Sequence, residues 1–243
     1  MIGTVPDRAS LGRRSFLRRG ARAGLLAGLA AGATTLPDAA GASEQPPAGP
    51  REALRLLMEG NQRWAAGRPR HPQQSVARRH EVAGHQDPFA TVVSCIDSRV
   101  PPEIVFDRGL GDMFDIRTGA QTLDQRVVLG SIEFGPVNYA SSRLLFVLGH
   151  QSCGAVQAAI TAIQTGERAP GHIQAVVNAL RPAYQVAIKQ PGDLLYNTIQ
   201  AQTRLTVQRL QRDPVLAELI AKENLAVVGG YYHLYSGVVS IIT

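Results

Sequence analysis

The chain has 243 residues, 44% of them hydrophobic and 5% aromatic, with a net charge of +6. That length supports one well-cored domain or at most two small ones, and no run approaches the roughly 20 uninterrupted apolar residues of a membrane-spanning helix. The charge does not mark a nucleic-acid surface. Of 25 basic and 19 acidic residues, positions 1–42 hold six Arg against Asp7 and Asp38, which leaves 19 and 17 for the rest of the chain. No basic run with interleaved aromatics follows, so nucleic-acid binding is not expected.

The basic residues gather in a leader, GRRSFLRRGARAGLLAGLAAGATTLPDAAGASEQ. Arg13-Arg14 followed by Ser15, Phe16 and Leu17 matches the twin-arginine export pattern. Ala23 to Ala33 reads as its weakly hydrophobic segment, and Ala40-Gly41-Ala42 as an A-x-A cleavage site with the mature chain starting at Ser43. The expectation is an export signal over 1–42 and a domain over 43–243, carried out in folded form to the periplasm or beyond. A disordered basic arm, or a short helix lying on a membrane, is the other reading of these residues.

Residues 43–50 (SEQPPAGP) read as a Pro-rich linker. ALRLLMEGNQRWAAG (53–67) places apolar residues at helical spacing, and a polar, basic stretch (73–85) follows; together, 51–85 predict a helical arm ahead of a core over 89–243. From Phe89 the pattern changes to short apolar runs. FATVVSC (89–95), Asp112 to Arg117, RLLFVLG (143–149) and NLAVVGGYY (224–232) predict four strands, and SGVVSIIT (236–243) a hairpin partner at the edge. Helical periods lie between them at 124–135, 153–165, 171–188 and 193–211. Apolar strands alternating with helices predict an α/β fold, a parallel sheet of four strands covered on both faces, with one antiparallel edge strand. Ligands of such sheets gather beyond the carboxyl ends of the strands.

Two predicted strands end in reactive groups. VVSCIDSRVPP (92–102) stops an apolar run at Cys95, with Asp97 and Arg99 following, and RLLFVLGH ends at His150, with Cys153 three residues on. Two thiolates and an imidazole are preferred zinc donors, and three protein ligands leave a fourth tetrahedral position open. Cys153 at the start of a helix gains further support for its thiolate from the helix N-terminus. An open zinc site lowers the pKa of bound water to about 7, giving a hydroxide nucleophile. Asp97 is placed to accept a hydrogen bond from it or to compete for the fourth position, and Arg99 to hold Asp97 ionised in a bidentate pair. Taken singly, the same residues also read as a structural disulfide, a core histidine and a capping ion pair.

The joint spacing, C-x-D-S-R with G-H-x-x-C-G some fifty residues on, resembles the β-class carbonic anhydrases. CIDSRVPPEIVFDRGLGDMFDIRT and VLGSIEFGPVNYASSRLLFVLGHQSCGAV are similar to that family's two motif blocks. The resemblance implies Cys95, His150 and Cys153 as ligands of one zinc ion per chain, and Asp97 with Arg99 as the catalytic dyad. It implies Gln86 as a residue that hydrogen-bonds substrate across a dimer interface, Phe114 and Phe134 as lining for a carbon dioxide pocket, and Gly154 as the glycine after the second cysteine. It further implies reversible hydration of carbon dioxide to bicarbonate, and a homodimer or tetramer in which the arm reaches over a neighbour, with Trp64 as an interface anchor. The other five histidines, at 71, 80, 85, 172 and 233, match no motif and read as surface groups. Ile96, where a small residue is usual, and RTGAQ (117–121) depart from the pattern. Val92 stands where bicarbonate-inhibited members carry Trp, which favours an open site. The rivals are a carbon disulfide or carbonyl sulfide hydrolase on the same scaffold, and a non-catalytic zinc-binding or disulfide-stapled interaction module.

Overall fold

The computed structural model describes residues 47–242. The expected export signal, with Arg13, Arg14 and the cleavage at Ser43, lies outside the described residues.

Four parallel strands form the sheet expected from the apolar runs: β1 (Ala90–Cys95), β2 (Met113–Thr118), β3 (Leu144–His150) and β4 (Ala226–Tyr232). A three-residue antiparallel strand, β5 (Val239–Ile241), closes one edge against Gly230 to Tyr232, and the order across the sheet is β2-β1-β3-β4-β5. β1 and β3 are buried along their whole length, as strands covered on both faces must be. Alternate residues feed opposite layers. Val92 and Phe146 pack with Leu56, Leu57 and Phe106. Val93, Leu145 and Val147 pack with Ile132, Leu210 and Leu216 from helices α4 (Arg126–Asn138), α7 (Leu194–Gln211) and α8 (Pro214–Ala221). Phe146 meets Phe106 edge-on at 5.3 Å; burying a ring of this kind contributes about 2–3 kcal/mol. Gly230 makes room for it, since a Cβ there would stand 2.5 Å from the Phe146 ring.

Helices α5 (Gly154–Thr165) and α6 (Ile173–Ala187) match two expected helical periods. α8 and the short α3 (Pro102–Val105) were not expected, although Asp213 and Pro214 form an N-cap and first-turn signal: the Asp213 side chain accepts from the Val215 and Leu216 N–H groups.

The arm packs first on its own chain, and its expected reach over a neighbour concerns a second copy. It forms α1 (Pro50–Ala65) and α2 (Val76–Glu81), and α1 is seated on its own chain, burying Ala53, Leu56 and Leu57 in the core. Asn61 fastens it, donating to the carbonyls of Val105 and Gly237 while accepting from the Val239 N–H. Trp64, expected as an interface anchor, donates its indole N–H to Tyr232 Oη at 3.0 Å within the same chain. The amphipathic pattern was visible in sequence; the surface that covers it was not.

Candidate metal centre

β1 and β3 are neighbours, and Ser94 pairs with Leu148, so Cys95 and His150 leave the same end of the sheet one step apart. The loop after β3 turns through Ser152, whose φ is +53°, and places Cys153 at the N-cap of α5. The ligand atoms of Cys95, His150 and Cys153 come together within 4.8 Å of one another, all three residues buried. The two sulfurs are 3.8 Å apart and both cysteines are free, far beyond the roughly 2.05 Å of a disulfide. The stapled-module reading therefore has no support here.

The donor set fits a thiophilic metal ion. His150 Nδ1 lies 2.9 Å from the Gln151 carbonyl, which can only accept, so Nδ1 carries the proton and Nε2 presents a lone pair. That Nε2 is buried with no hydrogen-bond partner, an atom that needs an occupant in front of it. A hydrogen bond from Cys153, helped by the His150 side chain and then the Ala120 N–H at 3.4 Å, draws the Cys95 thiol down to about 4 against the opposing effect of burial. The same contact, with burial, pushes Cys153 up, while the N–H groups of Ala155 and Val156 at the α5 terminus oppose that rise. The two shifts run in opposite directions because the sulfurs are in contact.

Asp97 and Arg99 stand beside the cluster. The guanidinium donates twice to the carboxylate, Nε to Oδ1 at 2.9 Å and Nη2 to Oδ2 at 2.7 Å, and the Arg99 backbone N–H adds a third bond. These bonds hold Asp97 down at about 2. Arg99 Nη2 also reaches the Ser152 carbonyl at 3.1 Å, tying the loop after β1 to the loop after β3. Asp97 Oδ2 is 4.0 Å from His150 Nε2, so the oriented carboxylate borders the position that the three ligands surround.

A cavity of about 590 Å³ opens onto the group, walled by Ala155, Ala158, Ile173, Val176 and Val177, with Gly154 at its edge. A Cβ at Gly154 would meet nothing within 4 Å, so a side chain there would project into open space. Ile96 lines the cavity but is 65% exposed; it sits at the rim and does not tighten the floor. The RTGAQ departure takes a left-handed backbone at Ala120 (φ +52°) and Gln121 (φ +54°), which aims the Ala120 N–H at Cys95.

Gln86, Phe114 and Phe134 lie elsewhere in the chain. Phe114 pairs with Thr91, four residues before Cys95, about 13 Å down the strand. It meets Phe134 at 6.2 Å and Tyr139 at 5.4 Å, and exposed Gln86 donates to Tyr139 Oη at 3.0 Å. Within one chain the structure brings these residues to each other and not to the cluster. Tyr139 was missed in sequence, and so was Arg117, which bonds the carbonyls of Cys95 and Asp97. Four of the remaining histidines, at 71, 80, 85 and 172, are exposed as expected; His233 is half-buried against Tyr231.

Comparison with known proteins agrees with this geometry. The family model described as carbonic anhydrase matches residues 90–239. "Carbonic anhydrase 2" of Mycobacterium tuberculosis is 42% identical over 79% of this chain and 92% of its own. The carbonic anhydrase of Mycolicibacterium smegmatis is 40% identical over 81% and 95%. Among solved structures, the tetrameric β-carbonic anhydrases of Sordaria macrospora superpose with a TM-score of 0.61 at 19% identity, over 78% of this chain and 96% of theirs, a likeness of fold. The named relatives do not favour the carbon disulfide reading. With its Cys-His-Cys cluster at the carboxyl end of a β2-β1-β3-β4 parallel sheet, the chain belongs to the β-class carbonic anhydrases.

Proposed function

We propose that this enzyme, which hydrates carbon dioxide reversibly, does so at a site holding one zinc ion per chain through Cys95 Sγ, His150 Nε2 and Cys153 Sγ. The observation that carries the assignment is the convergence of His150 with two free, buried cysteines, their ligand atoms within 4.8 Å of one another. The zinc ion supplies Lewis acidity that makes water nucleophilic near neutral pH. Asp97, kept ionised by Arg99, only accepts hydrogen bonds; its Oδ2 takes one from the attacking water and turns the water's lone pair toward the substrate. The apolar wall of Ile173, Val176 and Val177 suits a small neutral substrate and excludes bulk water. Removing metal with a chelator should abolish hydration, and zinc should restore it to near the starting rate. Full activity in metal-free protein would overturn the assignment.

Gln86, Phe114 and Phe134 serve the site of a neighbouring copy in a dimer or tetramer. Two points support this: their place about 13 Å down the sheet from their own cluster, and the half-exposed Phe134 ring beside exposed Gln86. The tetrameric Sordaria relatives are consistent with it.

The leader exports the folded chain by the twin-arginine route, which lets both thiols take up zinc in a reducing compartment before they meet an oxidising one. Replacing Arg13 and Arg14 by Lys should then retain the protein inside the cell. Continued export of that variant would remove the proposal.

A further inference from the structure

The Arg99 bonds fix the Asp97 side chain, and Arg99 Nη2 ties the turn to the loop after β3 through the Ser152 carbonyl. What ties that turn to the sheet comes from the neighbouring strand. The β1–β2 ladder runs to Cys95 opposite Thr118, and one further bond joins the Ile96 N–H to the Thr118 carbonyl at 3.1 Å. Beyond that point the chain leaves the sheet. Arg117 of β2 reaches across it, donating Nε to the Cys95 carbonyl at 2.9 Å and Nη2 to the Asp97 carbonyl at 2.6 Å. Among the described residues, the backbone donor to the Asp97 carbonyl is the Val100 N–H at 3.2 Å, from within the turn.

We propose that Arg117 is a positioning residue for the hydration reaction, a guanidinium clamp that holds the backbone of Cys95 and Asp97 at the height the metal centre requires. Two carbonyls two residues apart, both acceptors, call for a rigid fork of N–H donors; the single ammonium of a lysine satisfies one at a time. Asp115 lies on the same strand face, two residues upstream. Its Oδ1 is buried without a partner, and burial, with Glu103 of α3 beside it, pushes its carboxyl up to about 8 against the smaller opposing effect of Arg117. The bonding N–H groups of Arg117 point at the turn. A displacement of about 1 Å at a catalytic group can cost on the order of 100-fold in rate, and the clamp is the restraint on that displacement that β2 supplies at the Asp97 backbone. The inference rests on the role given to Asp97 above.

The test uses the full-length chain in three variants, R117A, R117K and D97N, with carbon dioxide hydration, metal content and backbone hydrogen exchange measured on each. R117A should lose about 10- to 100-fold in kcat with KM within about threefold and metal content at the parental level. Exchange in residues 96–100 should rise about tenfold or more, with α5, α6 and α7 unchanged. Millimolar methylguanidinium should restore several-fold activity to R117A, and R117K, which keeps the charge and is the safer variant to fold, should fall between R117A and the parent. Turnover and exchange near parental values in both Arg117 variants, beside an impaired D97N, would overturn the inference alone. Full turnover in D97N would remove the Asp97 reading and this inference with it. Loss of metal and of protection throughout the sheet would assign Arg117 to fold stability and overturn the positioning role.

Discussion

Substitution of Cys153 by Ser is expected to empty the centre of metal and to lower carbon dioxide hydration by at least about 1,000-fold, since the open site has three protein ligands and none in reserve. A serine hydroxyl remains protonated at neutral pH, whereas the Cys153 thiolate would be favoured by the metal and by the N–H groups of Ala155 and Val156 at the start of α5. The fold should survive. The strands that carry the centre are held by packing on both faces. Metal that binds only the folded state stabilises it by mass action, so the variant should melt where the chelated parent melts, below the metal-loaded parent. Metal analysis, circular dichroism and stopped-flow rates on the same preparation check all three points. A variant that kept the parental metal content would show that Cys153 is not a ligand.

The second large effect is expected at Asp97. D97N keeps the size of the side chain but loses the charge and one acceptor. Of the three bonds from Arg99, two end on Oδ1 and one on Oδ2, the oxygen that borders the cluster. Loss of a positioned acceptor for the attacking water should lower kcat by about 100- to 1,000-fold, with metal retained because Asp97 is not among the three ligands. The sign of the pH dependence follows from the bond to Arg99. Asp97 is held at about 2, below the ordinary aspartate value near 3.9. The dyad therefore contributes its full stability above about pH 4, and that contribution fades as pH falls through about 2. A change in rate between pH 6 and 9 does not report protonation of Asp97 in its Arg99-bound form. Parental turnover in D97N would exclude the role.

The sheet was legible because β1 and β3 are buried on both faces and so appear as uninterrupted apolar runs, and because each run stops at a residue too reactive to serve packing, Cys95 and His150. Those two ends, with Cys153 following by three, mark in the sequence the three residues whose side chains the fold brings together. α8 was passed over because eight residues, PVLAELIA, give little periodicity, although its Asp-Pro start was readable. The seating of α1 was not readable. Ala53, Leu56 and Leu57 announce an apolar face, but an apolar face does not name what covers it, and in this chain the cover is its own α3 and β3. Family resemblance assigns Phe114 and Phe134 to a pocket; the register of β2 on β1 shows that a single chain places them beside Tyr139 and Gln86 instead. Arg117 stayed hidden for a different reason. Its partners are backbone carbonyls, which every residue has, so no side-chain pattern reveals them.

The most direct test of the account is stopped-flow hydration of carbon dioxide by the purified protein between about pH 6.5 and 9, with zinc quantified on the same sample. One zinc per chain, with activity rising as pH increases through that range, is the predicted result, as expected of a metal that lowers the pKa of water to near 7. Stoichiometric zinc with no hydration at any pH would contradict it.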